Sequence, residues 1–313
     1  MTVISKGVLQ MFKGFSRSVK GVSHERKGIV CQDASSHRVA DRYAVCVVAD
    51  GHGSKKHFRS NFGSQFAVEA TLETIDRFYE NADEFEENFP LRPKMVIKNI
   101  EKQIISIWNE KVNAHLKENP VTMEEKKKFS DKEFAEINPE SYYGTTLIAG
   151  VAGKGFTFGI QIGDGSLVAI FEDGKAVLPM NYDESAPANV TSSMCNANAS
   201  QMFNSFFIKD KKLLGMFAST DGLYTSFASE YDFLDYHVVV ASQLVDTDRI
   251  EQVVVKNITK RSHFGTEDDI SFSCVYDDEM ANECNELIKK NIEENKRIAA
   301  ERKAALLATK KNY

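Results

Sequence analysis

An apolar strand that ends in an acid, Tyr43-Ala44-Val45-Cys46-Val47-Val48-Ala49-Asp50, followed at once by Gly51-His52-Gly53, sets the strongest constraint on how this chain folds. The β-rich run delivers a carboxylate to the rim of a sheet, and the glycines after it leave room for backbone to approach a ligand. The device recurs. Phe156 to Gly163 runs into Asp164-Gly165, Leu214 to Thr220 runs into Asp221-Gly222, and Asp268-Asp269 immediately precede the apolar run Ile270 to Tyr276. Any one Asp-Gly is ordinarily a turn. The set together points to a carboxylate-lined metal site, because Mg²⁺ and Mn²⁺ take oxygen ligands and keep several waters. If Asp50, Asp221 and Asp269 converge, a cation is required, since crowded carboxylates otherwise raise one another's pKa.

The chain has 313 residues, enough for one large domain or two ordinary ones. Its 42% hydrophobic and 27% charged content is that of a soluble globular protein. No apolar run approaches the ~18 residues of a membrane span, and Met1 to Gly21 mixes lysines with short apolar patches rather than a signal-peptide core. A cytoplasmic protein without membrane attachment is expected. Cysteines 31, 46, 195, 274 and 284 are odd in number and show no Cys-x-x-Cys pairing, so reduced, structural thiols are expected. A net charge of −6 argues against a nucleic-acid partner.

Strands are expected at Phe15 to Val22 and Tyr43 to Ala49, followed by a helix with Phe62, Phe66, Ala70, Ile75 and Phe78 on its core face. Val96, Ile100, Ile104, Trp108 and Val112 form an i, i+4 stripe on a second helix, a core face rather than a cofactor box. Lys117 to Pro139 is highly charged and reads as a solvated loop or short helix. Gly144 to Val151, Gly155 to Ile162 and Ser166 to Phe171 read as an antiparallel meander. In the second of these, Phe156, Phe158, Ile160 and Ile162 alternate with Thr157, Gly159 and Gln161, as in a half-buried strand. Asn181 to Lys212 is an excursion from the sheet, and Leu213 to Ser219 resumes it. Thr247 or Asp248 caps a helix bearing Ile250, Val254 and Ile258, and Ile270 to Tyr276 is the last strand. From Asp278 the pattern is helical, with a Cys284, Ile288, Ile292 stripe and Glu286/Lys290 and Glu293/Arg297 pairs, ending in an alanine-rich basic tail.

Six segments now carry a resemblance. They are Cys31-Gln32-Asp33-Ala34, Val48-Ala49-Asp50-Gly51-His52-Gly53, Gly144-Thr145-Thr146, Gly163-Asp164-Gly165-Ser166, Ser219-Thr220-Asp221-Gly222-Leu223-Tyr224 and Asp268-Asp269-Ile270-Ser271. In order and spacing, over roughly residues 15 to 277, they resemble the motifs of the metal-dependent type 2C protein serine/threonine phosphatases. That resemblance implies an α+β fold, a four-layer α-β-β-α sandwich with two central antiparallel sheets and a C-terminal helix. The phosphatase domain would span 1–278 and a helical extension 279–313. It further implies two Mg²⁺ or Mn²⁺ ions at the sandwich edge. Asp50 would bridge them, the Gly51 carbonyl would bind one, Asp221 and Asp269 would hold the other, and Asp33 would support the metal waters. Such a pair activates a water against phosphoserine or phosphothreonine in a protein substrate, and His52 is the candidate proton donor to the leaving oxygen.

The departures shape the alternatives. Gln32 stands where many members carry an acid, and Gly28 where many carry a phosphate-binding arginine. His24, Arg26 or Lys27 are the substitutes for the phosphate, or else three solvated side chains. A third ion would use Asp164, Asp221 and an acid where Thr225 stands, which counts against it. A pseudophosphatase that binds phosphoprotein through the cleft, or a partner through the C-terminal helix, is the rival reading, and a small-molecule phosphohydrolase the third. No Gly-x-Ser-x-Gly elbow, Cys-x₅-Arg loop or Walker loop is present, so serine, cysteine and ATP-dependent chemistries are disfavoured.

Overall fold

The computed structural model describes residues 12–180 and 192–311, with side chains described as far as residue 304. Sheet A contains β1 (Phe12–Val19), β6 (Ser166–Phe171), β7 (Ala176–Val177), β9 (Leu213–Ser219) and β10 (Ile270–Asp277), in the order β1-β10-β9-β6-β7. Sheet B contains β2 (Ala34–Val39), β3 (Ala44–Ala49), β4 (Leu147–Gly153), β5 (Phe156–Ile162) and β8 (Asn204–Lys209), in the order β2-β3-β4-β5-β8. All pairings are antiparallel. The helices are α1 (Val22–Lys27), α2 (Ser60–Phe78), α3 (Ala82–Asn88), α4 (Pro93–Glu118), α5 (Met123–Lys126) and α6 (Asp131–Ala135). They continue with α7 (Asp221–Tyr224), α8 (Glu230–Ala241), α9 (Thr247–Phe264), α10 (Asp278–Glu283) and α11 (Asn285–Lys311). None among the described residues is long and apolar enough to cross a membrane.

The period-two pattern sorts side chains into layers. From β3, Val45, Val47 and Ala49 join the core under α2 and α4, whereas Ala44, Cys46 and Val48 face the other way, into the seam between the sheets. From β10, Phe272, Cys274 and Tyr276 join a third core under α8, α9 and α10, whereas Val275 enters the seam. The seam is filled by Ile148, Leu167, Phe206 and Met216 as well as by these smaller residues. At one edge serines stitch the sheets: Ser273 Oγ donates to Ser36 O at 2.6 Å and Ser18 Oγ meets Ser35 Oγ at 2.9 Å. This is the expected four-layer α+β sandwich. Met280, Ala281, Cys284 and Ile288 seat the start of the C-terminal helical region in the sheet A core, as the apolar stripe foretold. The ion pairs there differ from those expected: Glu286 takes Lys289 and Glu293 takes Lys296, one residue nearer than i, i+4.

Several expectations are corrected. The three-strand meander stops at β5, because Gly163-Asp164-Gly165, with Gly163 at φ 106°, carries the chain from sheet B into sheet A. β5 is buried on both faces, since helices cover one and the second sheet the other. The excursion at 181–212 contains strand β8, while 181–191, like residues 1–11, lies outside the described residues. The charged stretch holds α5 and α6, each opened by a capping box, Thr122/Glu125 and Ser130/Glu133. Asp246, not Thr247 or Asp248, caps α9 by accepting from Arg249 N at 3.2 Å.

Gly63 fixes where α2 meets the 3₁₀ segment Pro139–Tyr143: a Cβ there would stand 1.9 Å from Tyr143 O. Trp108 Nε1 of α4 donates to Gly63 O at 2.9 Å, so three elements share this point. Gly63→Ala is expected to cost about 3 kcal/mol or more by overpacking, measured by chemical denaturation; a change below about 0.5 kcal/mol would show that the elements can separate freely.

Candidate active site

Strand ends from both sheets meet at one edge of the sandwich. Asp50 follows β3, Asp164 precedes β6, Asp221 follows β9 and Asp268-Asp269 precede β10. The backbone of Asp50 is clamped by the Thr pair that opens β4. Thr146 N donates to Asp50 O at 2.8 Å, Thr145 Oγ1 donates to the same carbonyl at 2.9 Å, and Asp50 N donates to Thr146 Oγ1 at 3.0 Å. Gly51 next to it touches backbone from two sides; a Cβ would meet Gln32 O at 2.5 Å and Ser60 O at 2.7 Å. In the same way, a Cβ on Gly222 would meet Asp269 O at 2.4 Å. These Asp-Gly pairs are close approaches rather than plain turns.

Asp33 is buried at 8% exposure and accepts from Thr220 Oγ1 at 2.8 Å, while Thr220 Oγ1 itself accepts from Ser271 N at 2.9 Å. One hydroxyl thus fixes Asp33 against the turn that presents Asp221. Burial, then the Asp269 charge, pushes the Asp33 carboxyl well above its ordinary value. Burial, then the charges of Asp33 and Asp221, does the same to Asp50. Asp221 is raised by burial and by the charge of Asp164. The charges that weigh most on these acids are other carboxylates. Carboxylates that raise one another mark a place that a cation fits, and the donors are all hard oxygen. Among the described residues no three acidic, imidazole or thiol groups are gathered closely enough to hold a metal ion as they stand. Hard ions that keep several waters need few protein ligands.

Asp269 departs from its expected place as a metal ligand. Its Oδ1 accepts from Gly21 N at 2.7 Å, and its Oδ2 from Gln32 N at 2.7 Å and His24 Nδ1 at 2.9 Å. It braces the entry to α1 and the loop before β2. Asp268, exposed, is the acid whose charge bears on Asp33, Asp50 and Asp221 together. Adjacent residues entering a strand point to opposite sides, so one shift in register exchanges their roles. Three phosphate candidates are likewise placed: His24 is held by Asp269, Arg26 pairs with Glu267 at 3.1 Å, and Lys27 is exposed at the end of α1. Gln32 does not stand in for an acid; its Nε2 donates to Ser60 Oγ at 2.7 Å.

His52 donates its backbone N–H to Gly144 O at 3.0 Å and its ring lies 5.0 Å from that of His57. Burial, with His57 beside it, lowers its pKa to about 4, leaving the ring uncharged at pH 7. Burial and the charges of Asp33 and Asp269 push the Cys31 thiol far up, which removes any thiolate nucleophile. Thr145, Thr146, Thr220 and Asp268 are the site residues that sequence reasoning did not assign, although the Gly144-Thr145-Thr146 motif was visible.

Raised acids give a definite pH slope. Native Asp33, Asp50 and Asp221 keep protons that the unfolded chain releases above its ordinary carboxylate value of 3.8. Their contribution to stability is complete below that pH and is lost as pH rises. Melting temperatures of metal-free wild type relative to Asp50→Asn, a difference that cancels the histidines, are expected to fall between about pH 5 and pH 8. Mn²⁺ is expected to flatten the slope, and a rising difference without metal would contradict the crowding.

Three solved structures share this architecture. The catalytic domain of the serine/threonine protein phosphatase PstP in complex with two manganese ions has a TM-score of 0.52 at 13% identity, covering 85% of this chain and 97% of that one. The Mycobacterium tuberculosis serine/threonine phosphatase PstP/Ppp gives 0.51 at 11%, covering 85% and 98%. PppA, a key regulatory component of the T6SS in Pseudomonas aeruginosa, gives 0.51 at 15%, covering 86% and 98%. At these identities the likeness is one of fold. A comparison with curated proteins finds no match. The family model for protein phosphatase 2C matches residues 20–258, a span that takes in Asp33, Asp50, Asp164 and Asp221. On that match, over most of its length, the chain belongs to the protein phosphatase 2C family.

Proposed function

We propose that this chain hydrolyses phosphoserine or phosphothreonine in protein substrates with Mg²⁺ or Mn²⁺ as cofactor. The observation that carries the reading is the delivery of Asp50, Asp164, Asp221 and Asp268 by four separate strand ends to one edge of the sandwich, in a chain that the protein phosphatase 2C model matches over residues 20–258. Asp50, Asp221, Asp268 and the Gly51 carbonyl would hold two ions, with Asp33 behind them. Bound there, the ions would activate water and offset the charge on the transferring phosphoryl group. The protein's part is to fix Asp50 through Thr145 and Thr146, and Asp33 through Thr220. His52 offers the leaving oxygen a hydrogen bond from a neutral ring. His24 and Arg26 already have carboxylate partners, so the substrate phosphate leans on the ions and on Lys27. All five cysteines are free thiols, in keeping with a reducing, cytoplasmic setting.

The engagement of His24, Arg26 and Gln32 favours, as a second reading, a protein that binds phosphopeptide with little turnover. One experiment separates the two. Wild type with Mn²⁺ and a phosphopeptide is expected to release phosphate, and a chelator is expected to stop it. Asp50→Asn and Asp268→Asn should each reduce kcat/KM at least ~100-fold and weaken Mn²⁺ binding in calorimetry. Asp269→Asn keeps one acceptor oxygen and should retain metal affinity while lowering the melting temperature. Turnover that survives chelation would refute the metal reading, and metal loss in Asp269→Asn alone would restore Asp269 as the ligand.

A further inference from the structure

A cavity of ≈ 500 Å³ opens between α4, the start of the 3₁₀ segment Pro139–Tyr143 and residues 194–200. Asn109, Asn113, Asn138, Asn196, Glu140 and Cys195 are among its walls, and no lysine or arginine lines it. It belongs to the neighbourhood of the aspartate rim. Met194 N donates to Thr145 O at 2.9 Å and Ser193 Oγ to the same carbonyl at 3.1 Å, while Thr145 is bridged to Gly51. Three backbone segments, 193–194, 145 and 51, therefore lie side by side. At ~4.8 Å per step they place the cavity wall about 10 Å from the rim, the reach of roughly three residues of extended chain.

Its chemistry is that of amides. Asn109 and Asn113 stand one turn apart on α4, both facing the cavity, at positions where asparagine is a poor helix former. Asn113 and Asn138 are exposed to solvent, whereas Asn109 is half-buried and no hydrogen bond among the described residues engages its side chain. At Asn109 the helix carries that local cost without an internal partner, the pattern of a residue kept for something outside the fold. A carboxamide carries both donor and acceptor, which is what an extended peptide backbone presents at every residue. Glu140 and the absence of basic side chains from the walls exclude a second phosphate and suit a neutral or basic segment.

We propose that this amide-lined cavity binds the backbone of the substrate polypeptide a few residues away from the phosphorylated one. The proposal rests on the phosphatase reading. It assigns Asn109 and Asn113 as specificity residues that separate protein from small-molecule phosphoesters. The test uses the full chain with Asn109→Ala and Asn113→Ala together; alanine raises helix propensity, so the variant folds, as its melting curve will record. The probes are a capped nonapeptide with central phosphoserine among alanines and lysines, and p-nitrophenyl phosphate, which is too small to span the distance. For the nonapeptide, KM and the Kd from calorimetry are expected to rise about tenfold, the size of two lost hydrogen bonds. For p-nitrophenyl phosphate, kcat and KM should not move. Equal loss on both probes, or none on the peptide, overturns the proposal. If wild type turns over neither probe yet binds the nonapeptide, and the variant binds it tenfold more weakly, the cavity assignment stands and the phosphatase reading falls. Wild type that binds no peptide overturns the assignment itself.

Discussion

The repulsion among carboxylates at one edge of the sandwich governs the rest of the structure. Asp33 and Asp50 are lodged where burial and neighbouring carboxylates, Asp269 for the first and Asp33 for the second, oppose ionisation. A fold that keeps such a group must restrain it from several sides, because an unrestrained acid would simply turn to solvent. The restraints are backbone. Thr145 and Thr146 grip both polar groups of Asp50, and Thr220 joins Asp33 to the amide of Ser271. The strands that supply these clamps come from both sheets, so the site exists only when the sandwich is closed. Here the stability of the seam and the geometry of the rim are one problem.

The parts legible in the sequence were those in which local pattern and tertiary role agree. Val45, Val47 and Ala49 alternate with Ala44, Cys46 and Val48, and that alternation both makes the strand and divides it between two cores. The α4 stripe from Ile100 through Val112 was legible for the same reason. What escaped was whatever depends on which sheet a strand joins. Gly163-Asp164-Gly165 has the length of a hairpin loop, and nothing local tells that β6 leaves for sheet A. β5 alternates as a half-exposed strand does, yet the second sheet covers its polar face.

Within the site, the limit was a single residue of register. Asp268 and Asp269 are chemically identical neighbours, and a strand entry turns one toward the rim and the other toward Gly21, Gln32 and His24. Type and spacing locate the acid pair; only the path of the backbone divides it into a brace and an acid left open to the rim. The charged stretch after α4 shows the opposite failure, a visible signal passed over. Thr122/Glu125 and Ser130/Glu133 are capping boxes in plain sequence, but their weight comes from Arg59. That arginine, 5% exposed, holds Glu125 through two nitrogens at 2.8 and 3.0 Å and Asn119 O at 2.7 Å.

Arg59 also bears on how the site is presented. It precedes α2 directly, and its N–H donates to Tyr142 O at 2.9 Å, while its guanidinium donates to Tyr143 Oη at 3.0 Å. The 3₁₀ segment that ends at Tyr143 leads straight into Gly144-Thr145-Thr146, the clamp on Asp50. A buried guanidinium with its donors engaged costs desolvation that good geometry offsets, and breaking it leaves a charge stranded. The charged excursion is therefore no loose surface loop. It is moored through Arg59 to the same short segment that positions the metal-facing acid, and Lys55, Lys56 and His57 lie between that mooring and the rim. The side chains of this stretch are thus carried on elements fixed at both ends. That arrangement lets a crowded acidic edge keep its shape before any cation arrives.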